Sequence, residues 1–342
     1  MDKETATSDV FVPPSVQGNY NCLFSGQSYG HYSGVPVNIT RTTTTASGSE
    51  PKAGTPCVLG VDEAGRGPVI GPMIYGVFYL PVEQEQSLLA TTYHFDDSKV
   101  LTPAVRASLM KAVCTEGTDL FDSCGWAVKS LSALDISAGM LKNGGSYNLN
   151  AQAMDATIEL IRGVIERGVN VTEIYVDTIG SPTVYQRKLQ LIFPTIKVTV
   201  EKKADSLYPC VSAASVVAKV TRDVSCEKLL EAYVRQEGLS PEDEGVDWGS
   251  GYPSDGRCVT WLKTAIDPVW GFGHECRFSW GTVKDMLEQK NGSATKTDWP
   301  ADADDENMRL SHYFNNDGSS GVKTEADELR TWFGASVDQE AF

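Results

Sequence analysis

No stretch of the 342-residue chain reaches the roughly 18 consecutive apolar residues that a membrane-spanning helix needs, so an integral membrane protein is not expected. The first residues include Asp2, Glu4 and Asp9 and carry neither an apolar segment nor an Arg-rich face. Neither a secretory signal nor a transit peptide is expected from them, and the compartment is read as cytosol or nucleus. The eight cysteines, at positions 22, 57, 114, 124, 210, 226, 258 and 276, contain no C-x-x-C pair. A disulfide framework and a zinc site are both disfavoured, and buried free thiols are the expectation. Basic residues are few: 29 Lys and Arg against 45 Asp and Glu give a net charge of -16, which excludes a broadly basic surface. Residues 1–54 lack any apolar period, are rich in Ser, Thr and Gly, include the run Thr42–Thr45, and read as a disordered arm. There is no internal repeat.

What is present is enough hydrophobic residue, 41%, to bury a full core in one large domain or two smaller ones. Cys57 to Val61 is a short apolar run, and Val69 to Leu80 is a longer β-branched and aromatic one. The turn Ala64-Gly65-Arg66-Gly67-Pro68 separates them, so two strands joined by a tight loop are predicted. Thr102 before Pro103 predicts a capped helix to about Cys114. Gly125 to Leu131 reads as a third strand. From Asn150 to Gly168, Met154, Ile158, Ile161 and Ile165 follow helical spacing and should pack one face onto the sheet. A strand at Thr172 to Val176, a helix at Thr183 to Phe193, a strand at Ile196 to Val200 and a long helix at Ser206 to Arg235 follow. In that last helix Ala213, Ala214, Ser215 and Ala218 are small enough for close packing. The alternation gives an α/β fold with a mixed sheet and flanking helices over residues 55–236, with a small helical C-terminal lobe over 237–290. Residues 291–342 form an acidic tail.

Acids stand where apolar strands end. Asp62 and Glu63 close the first run, Asp177 closes Glu173-Ile174-Tyr175-Val176, and Asp205 lies between the fifth strand and the long helix. A charged pair at such a place is unfavourable unless it serves a partner, and strand ends of α/β sheets converge on one crevice. Clustered carboxylates without His or Cys suit hard, oxygen-seeking cations such as Mg²⁺, with Mn²⁺ able to substitute. Two such ions about 4 Å apart would serve phosphodiester hydrolysis. Taken singly, each acid also has a plainer reading: Asp177 as a turn cap, Asp205 as a helix cap, Asp62-Glu63 as a solvated strand end.

The stretch Asp62-Glu63-Ala64-Gly65-Arg66-Gly67-Pro68 resembles the signature of the type 2 ribonuclease H family. The similarity continues in order through Asp97-Ser98-Lys99, Tyr147-Asn148-Leu149-Asn150, Val176-Asp177-Thr178, Lys203-Ala204-Asp205-Ser206-Leu207-Tyr208-Pro209, Ser212-Ala213-Ala214-Ser215 and Gly249-Ser250-Gly251-Tyr252-Pro253, about residues 55–290. The resemblance implies a ribonuclease-H-like mixed sheet and an endonuclease acting on the RNA strand of RNA/DNA hybrids and 5′ of single ribonucleotides in duplex DNA. It implies Asp62, Glu63, Asp177 and Asp205 as catalytic metal ligands for two Mg²⁺ or Mn²⁺ ions. Gly65, Arg66 and Gly67 would face the ribose 2′-OH, the group that separates RNA from DNA, and glycine there lets backbone amides come close. Tyr252 would pack on the sugar after the ribonucleotide, against a plainer reading as a turn aromatic. Lys99, Asn148, Lys219 and Arg222 would contact phosphates, although Lys219 and Arg222, three apart on one helix, also fit a solvated face.

Arg309-Leu310-Ser311-His312-Tyr313-Phe314 is similar to the C-terminal segment of the family's eukaryotic catalytic chains, which implies a heterotrimer with accessory subunits B and C. An aromatic pair docking on its own chain fits that short stretch equally. Nuclear location is likewise implied only by the resemblance, because no clear basic targeting cluster is present.

The acidic balance is compatible with a nucleic-acid substrate. Residues 1–54 carry three basic and four acidic groups and 291–342 four and eleven, which leaves 22 basic and 30 acidic residues between them. Four of those acids are the candidate ligands, and bound divalent ions would offset them, so local cations can still meet phosphates with weak long-range steering. Two rival readings stay open from residues alone: a DNA-directed nuclease on the same fold, disfavoured by the Gly65-Arg66-Gly67 loop and Tyr252, and a non-catalytic scaffold protein, disfavoured by retention of four mutually repelling acids.

Overall fold

The structure, a computed structural model, describes residues 11–39, 54–95, 101–142, 147–178, 180–240 and 246–288. Six strands form one mixed sheet: β1 Tyr29–Tyr32, β2 Pro56–Ala64, β3 Met73–Pro81, β4 Gly125–Leu131, β5 Asn170–Asp177 and β6 Lys197–Glu201. Their spatial order is β1-β4-β3-β2-β5-β6. β1, β4, β3 and β2 pair antiparallel, whereas β5 and β6 join β2 in parallel. Every residue of β3 is buried, as expected of a central strand covered on both faces.

The helices are α1 Pro14–Gln17, α2 Tyr20–Phe24, α3 Pro103–Val113, α4 Asp119–Ser123, α5 Ala133–Met140, α6 Leu149–Glu166, α7 Pro182–Ile192, α8 Pro209–Glu237, α9 Gly256–Thr264 and α10 Gly281–Glu288. α8 crosses one face of β2 and β3 at short range: a Cβ on Gly60 would stand 2.3 Å from the Cys210 backbone, and one on Gly76 would stand 2.7 Å from the Ala214 carbonyl. The small residues Ala213, Ala214, Ser215 and Ala218 are what permit that approach, and all are buried. α6 and α7 cover the opposite face. In α6 the buried stripe is Ala153, Ala156, Thr157, Leu160, Ile161 and Val164, with Met154, Ile158 and Ile165 at its margin. Each face carries its own hydrophobic core.

The expectation of a disordered arm over 1–54 is corrected for residues 11–39. They build α1, α2 and the edge strand β1, with Val16, Leu23 and Tyr29 buried. The Ser15 and Thr221 hydroxyls meet at 3.0 Å, tying α1 to α8. Elements of four or five residues are too short to show a period; tertiary contact holds them. A second correction concerns the strand predicted from Val69. β3 begins at Met73 because Val69 is drawn to the C-terminal lobe: its amide donates to the Gly251 carbonyl, and its carbonyl accepts from the Arg277 amide, each at 2.8 Å. α5 and a π-helical turn at Glu85–Thr92 had no counterpart in the sequence reading. The C-terminal lobe carries α9 and α10. All eight cysteines are free. No described helix is long and apolar enough to cross a membrane. The tail 291–342, with Arg309–Phe314, lies outside the described residues.

Candidate active site

The parallel pairing of β2 with β5 places two acids side by side. Val61 pairs with Val176, and one position further stand Asp62 and Asp177. β5 in turn pairs with β6 through Asp177 and Glu201. The chain then reverses at Lys203, φ 60°, into a short 3₁₀ turn, Ala204–Ser206, that carries Asp205. The Ala204 amide donates to Asp177 Oδ1 at 2.9 Å, locking that turn onto the end of β5. Asp62 and Asp205 are 5% and 3% exposed, whereas Glu63 and Asp177 are half-buried.

The four acids feel one another. Burial, then the Glu63 charge, raise the Asp62 pKa well above the usual carboxylate range; a Ser215 hydrogen bond from α8 opposes the shift and Asp177 adds to it. Burial pushes Glu63 up to about 7; the Arg66 charge opposes this, and Asp177 and Asp205 reinforce it. Asp62 Oδ1 also accepts from the Glu63 amide at 2.7 Å. Among the described residues, no three His, Cys, Asp or Glu side chains stand close enough together to hold a metal ion as they lie. The acids therefore share one corner without closing into a cage. Their chemistry nonetheless fits a hard divalent cation: every donor is a carboxylate oxygen, and a cation would relieve the repulsion and desolvation that raise Asp62 and Glu63.

Beside the corner runs the loop Gly65-Arg66-Gly67. Gly65 has φ 78°, and a Cβ there would meet Arg222 Nε at 2.7 Å and the Pro72 carbonyl at 2.8 Å, so glycine is required twice over. A Cβ on Gly67 would touch the Tyr252 ring at 3.0 Å. The loop is clamped from behind by the C-terminal lobe. Arg277 is fully buried; its Nη2 donates to the Gly65 carbonyl at 2.6 Å and to Gly71 at 3.0 Å, its Nη1 to Arg66 at 2.9 Å and its Nε to Gly71 at 3.1 Å. Its guanidinium lies 4.8 Å over the Trp280 ring, whose Nε1 donates to the Gly67 carbonyl at 3.0 Å. Burial, then the neighbouring Arg222 charge, lower the Arg277 pKa to about 9, which still leaves the group charged at neutral pH. With the carbonyls turned to Arg277 and Trp280, the loop contributes Arg66 to the groove.

That groove encloses about 550 Å³ and is lined by Glu63, Arg66, Asn148, Asn150, Asp177 and residues of α7. Arg66 is held by the Asn150 carboxamide oxygen and by the Tyr75 hydroxyl. Asn148 caps α6, its Oδ1 accepting from the Asn150 and Ala151 amides at 2.9 and 3.1 Å, and it lines the groove from an exposed position. Tyr252 is exposed, resting on Gly67. Arg222 is placed differently from a free phosphate contact: it packs on Gly65, and Nη2 donates to the Ser250 carbonyl at 3.1 Å. Lys219 is half-buried on the same helix. Lys99 lies outside the described residues. Sequence reading missed Arg277, Trp280, Tyr75 and Asn150. For Arg277 the available signal was a lone cation inside Cys276-Arg277-Phe278-Ser279-Trp280, an apolar setting that charge enters only when it is paired or hydrogen-bonded.

Residues 59–283 match the family described as Ribonuclease HII. The A subunit of ribonuclease H2 from Neurospora crassa is 53% identical over 334 residues, covering 97% of both chains. The protein of the same name from Schizosaccharomyces pombe is 42% identical over 338 residues, covering 98% of this chain and 92% of that one. Among solved structures, ribonuclease H2 from Pyrococcus horikoshii OT3 superposes with a TM-score of 0.53 at 30% identity, covering 67% of this chain and 96% of the other.

Proposed function

The chain belongs to the ribonuclease HII family, and on that premise we propose that it cuts the RNA strand of RNA/DNA hybrids and cleaves 5′ of single ribonucleotides in duplex DNA, leaving a 5′-phosphate and a 3′-OH. It is a ribonuclease H enzyme. The observation that carries the finer reading is that two of the acids, Glu63 and Asp177, line one groove together with Arg66 of the clamped glycine loop.

In this reading Asp62, Glu63, Asp177 and Asp205 would hold two Mg²⁺ or Mn²⁺ ions. Bound there, the ions supply water activation and stabilisation of the leaving oxygen. The chain's own residues do the recognising. Gly65, Arg66 and Gly67 meet the ribose 2′-OH, because Arg277 and Trp280 fix the loop before substrate arrives and little ordering remains to be done on binding. Tyr252, standing on Gly67, packs against the sugar that follows. Asn148 donates to a phosphate from its carboxamide –NH₂, its oxygen being engaged in the helix cap. Lys99 and Lys219 add cationic contacts, and Arg222 acts chiefly by supporting Gly65 and the Ser250 carbonyl.

The relatives are named as one lettered subunit of ribonuclease H2, so the chain works in a multi-subunit complex, here read as one with accessory subunits B and C, in the nucleus, removing misincorporated ribonucleotides and RNA primers. A duplex with one ribonucleotide, compared with the same duplex carrying deoxyribose there, tests the reading. Cutting 5′ of the ribose and none of the all-DNA duplex is expected; equal cutting of both would overturn it.

A further inference from the structure

The far wall of the acid groove is one face of α7. Ser181, Val184, Tyr185 and Lys188 all line it, and this is the i, i+3, i+4, i+7 pattern of a single helical stripe. The rotation of α7 about its axis is fixed by contacts on two sides. Tyr185 donates to Thr157 Oγ1 of α6 at 2.9 Å. Opposite, Gln186 Oε1 and Gln190 Oε1 accept from the Val200 and Val198 amides of β6, each at 3.3 Å, while Gln190 Nε2 donates to the Ile196 carbonyl at 2.9 Å. Leu189 is buried beneath.

So held, α7 presents Lys188 to the groove from an exposed position, with no hydrogen bond or ion pair among the described residues. The acids lining the groove are Glu63, Asp155 and Asp177; the cations lining it are Arg66 and Lys188. Arg66 is already engaged by Asn150 and Tyr75. Arg187, the next residue along, is equally exposed but does not line the groove.

We propose that Lys188 is a substrate-binding residue that takes a backbone phosphate of the nucleic-acid strand lying in this groove. The inference rests on the ribonuclease reading above and extends it to a contact no sequence motif indicated. Seven residues of helix place Lys188 about 10 Å along α7 from Ser181, at the start of the helix that follows Asp177. A lysine suits the position: a long flexible stem and a compact charge meet a phosphate without demanding one geometry.

The test measures binding of an RNA/DNA hybrid to the full-length protein in metal-free buffer over a range of salt, for wild type, Lys188→Gln, Lys188→Arg and Arg187→Gln. Lys188→Gln should weaken binding several-fold at moderate salt and make the slope of log K against log salt shallower by about one, the signature of one lost phosphate contact. Lys188→Arg should restore the slope, and Arg187→Gln should leave it at the wild-type value. With one neutral methylphosphonate moved stepwise along the hybrid, one position should weaken wild type but not further weaken Lys188→Gln. An unchanged slope in Lys188→Gln, a matching loss in Arg187→Gln, or additive effects of Lys188→Gln and the methylphosphonate at every position would overturn the assignment. Cleavage of the same hybrid by the wild-type chain assembled with its partner subunits in Mg²⁺ is scored in parallel: if it fails, the ribonuclease reading itself is at fault rather than the role of Lys188.

Discussion

Arg277 and Gly65 are 212 residues apart in sequence, yet the Arg277 Nη2 donates to the Gly65 carbonyl at 2.6 Å. Through this bond a residue of the C-terminal lobe sets the conformation of a loop at the end of β2. Replacing it by alanine strips the buried carbonyls of Gly65, Arg66 and Gly71 of their donor, and should destabilise the fold by roughly 2–4 kcal/mol. Arg277→Lys keeps the charge but cannot reach three carbonyls at once. It should lose less stability, by thermal melt, than it loses in kcat/KM on a single-ribonucleotide duplex.

Gly65→Ala tests the loop from its other side. A side chain at φ 78° is strained, and its Cβ collides with Arg222 and the Pro72 carbonyl. A loss of roughly 1–3 kcal/mol in denaturant unfolding is expected, with cleavage falling at least tenfold.

Tyr252 rests on Gly67 and is otherwise exposed, so Tyr252→Ala should leave the melting temperature within a few degrees. Cleavage at a single ribonucleotide should fall roughly tenfold or more, the scale of a lost aromatic–sugar contact, while Tyr252→Phe stays near wild type.

The acid corner gives the metal-free protein a defined pH dependence. Glu63 has its pKa raised from 4.5 to about 7, so between those values the folded state binds more protons than the unfolded state. Stability must then fall as pH rises through that window. Denaturant melts from pH 4 to 8 in chelator should show the decline; Glu63→Gln should flatten it, and Mg²⁺ at pH 8 should raise the melting temperature of wild type more than that of Glu63→Gln.

The acids were legible in sequence because apolar runs such as Cys57–Val61 stop at them, and the parallel register of Val61 with Val176 brings two of those stops together. The close approach of α8 was legible for a similar reason, since Ala213, Ala214 and Ala218 leave no bulk to hold it away from Gly60 and Gly76. β1 and α1 were not legible, because four residues carry no period and their stability comes from contacts with β4 and α8. The role of Arg277 was not legible either: a cation in an apolar run marks a buried charge, but its partners are backbone carbonyls, which leave no complementary acid in the sequence to say what it holds. Lys188 escaped notice because its meaning depends on which face of α7 looks into the groove, and bonds to α6 and β6 decide that.

Under the proposed function, Asp62, Glu63, Asp177 and Asp205 act as one divalent-ion site. Calorimetric titration of Mn²⁺ into the protein bound to a hybrid with a non-hydrolysable linkage measures this directly, in wild type and in Asp177→Asn. Two ions per chain in wild type, with at least one lost or weakened tenfold or more in Asp177→Asn, is the expected result. Equal stoichiometry and affinity in the two proteins would contradict it.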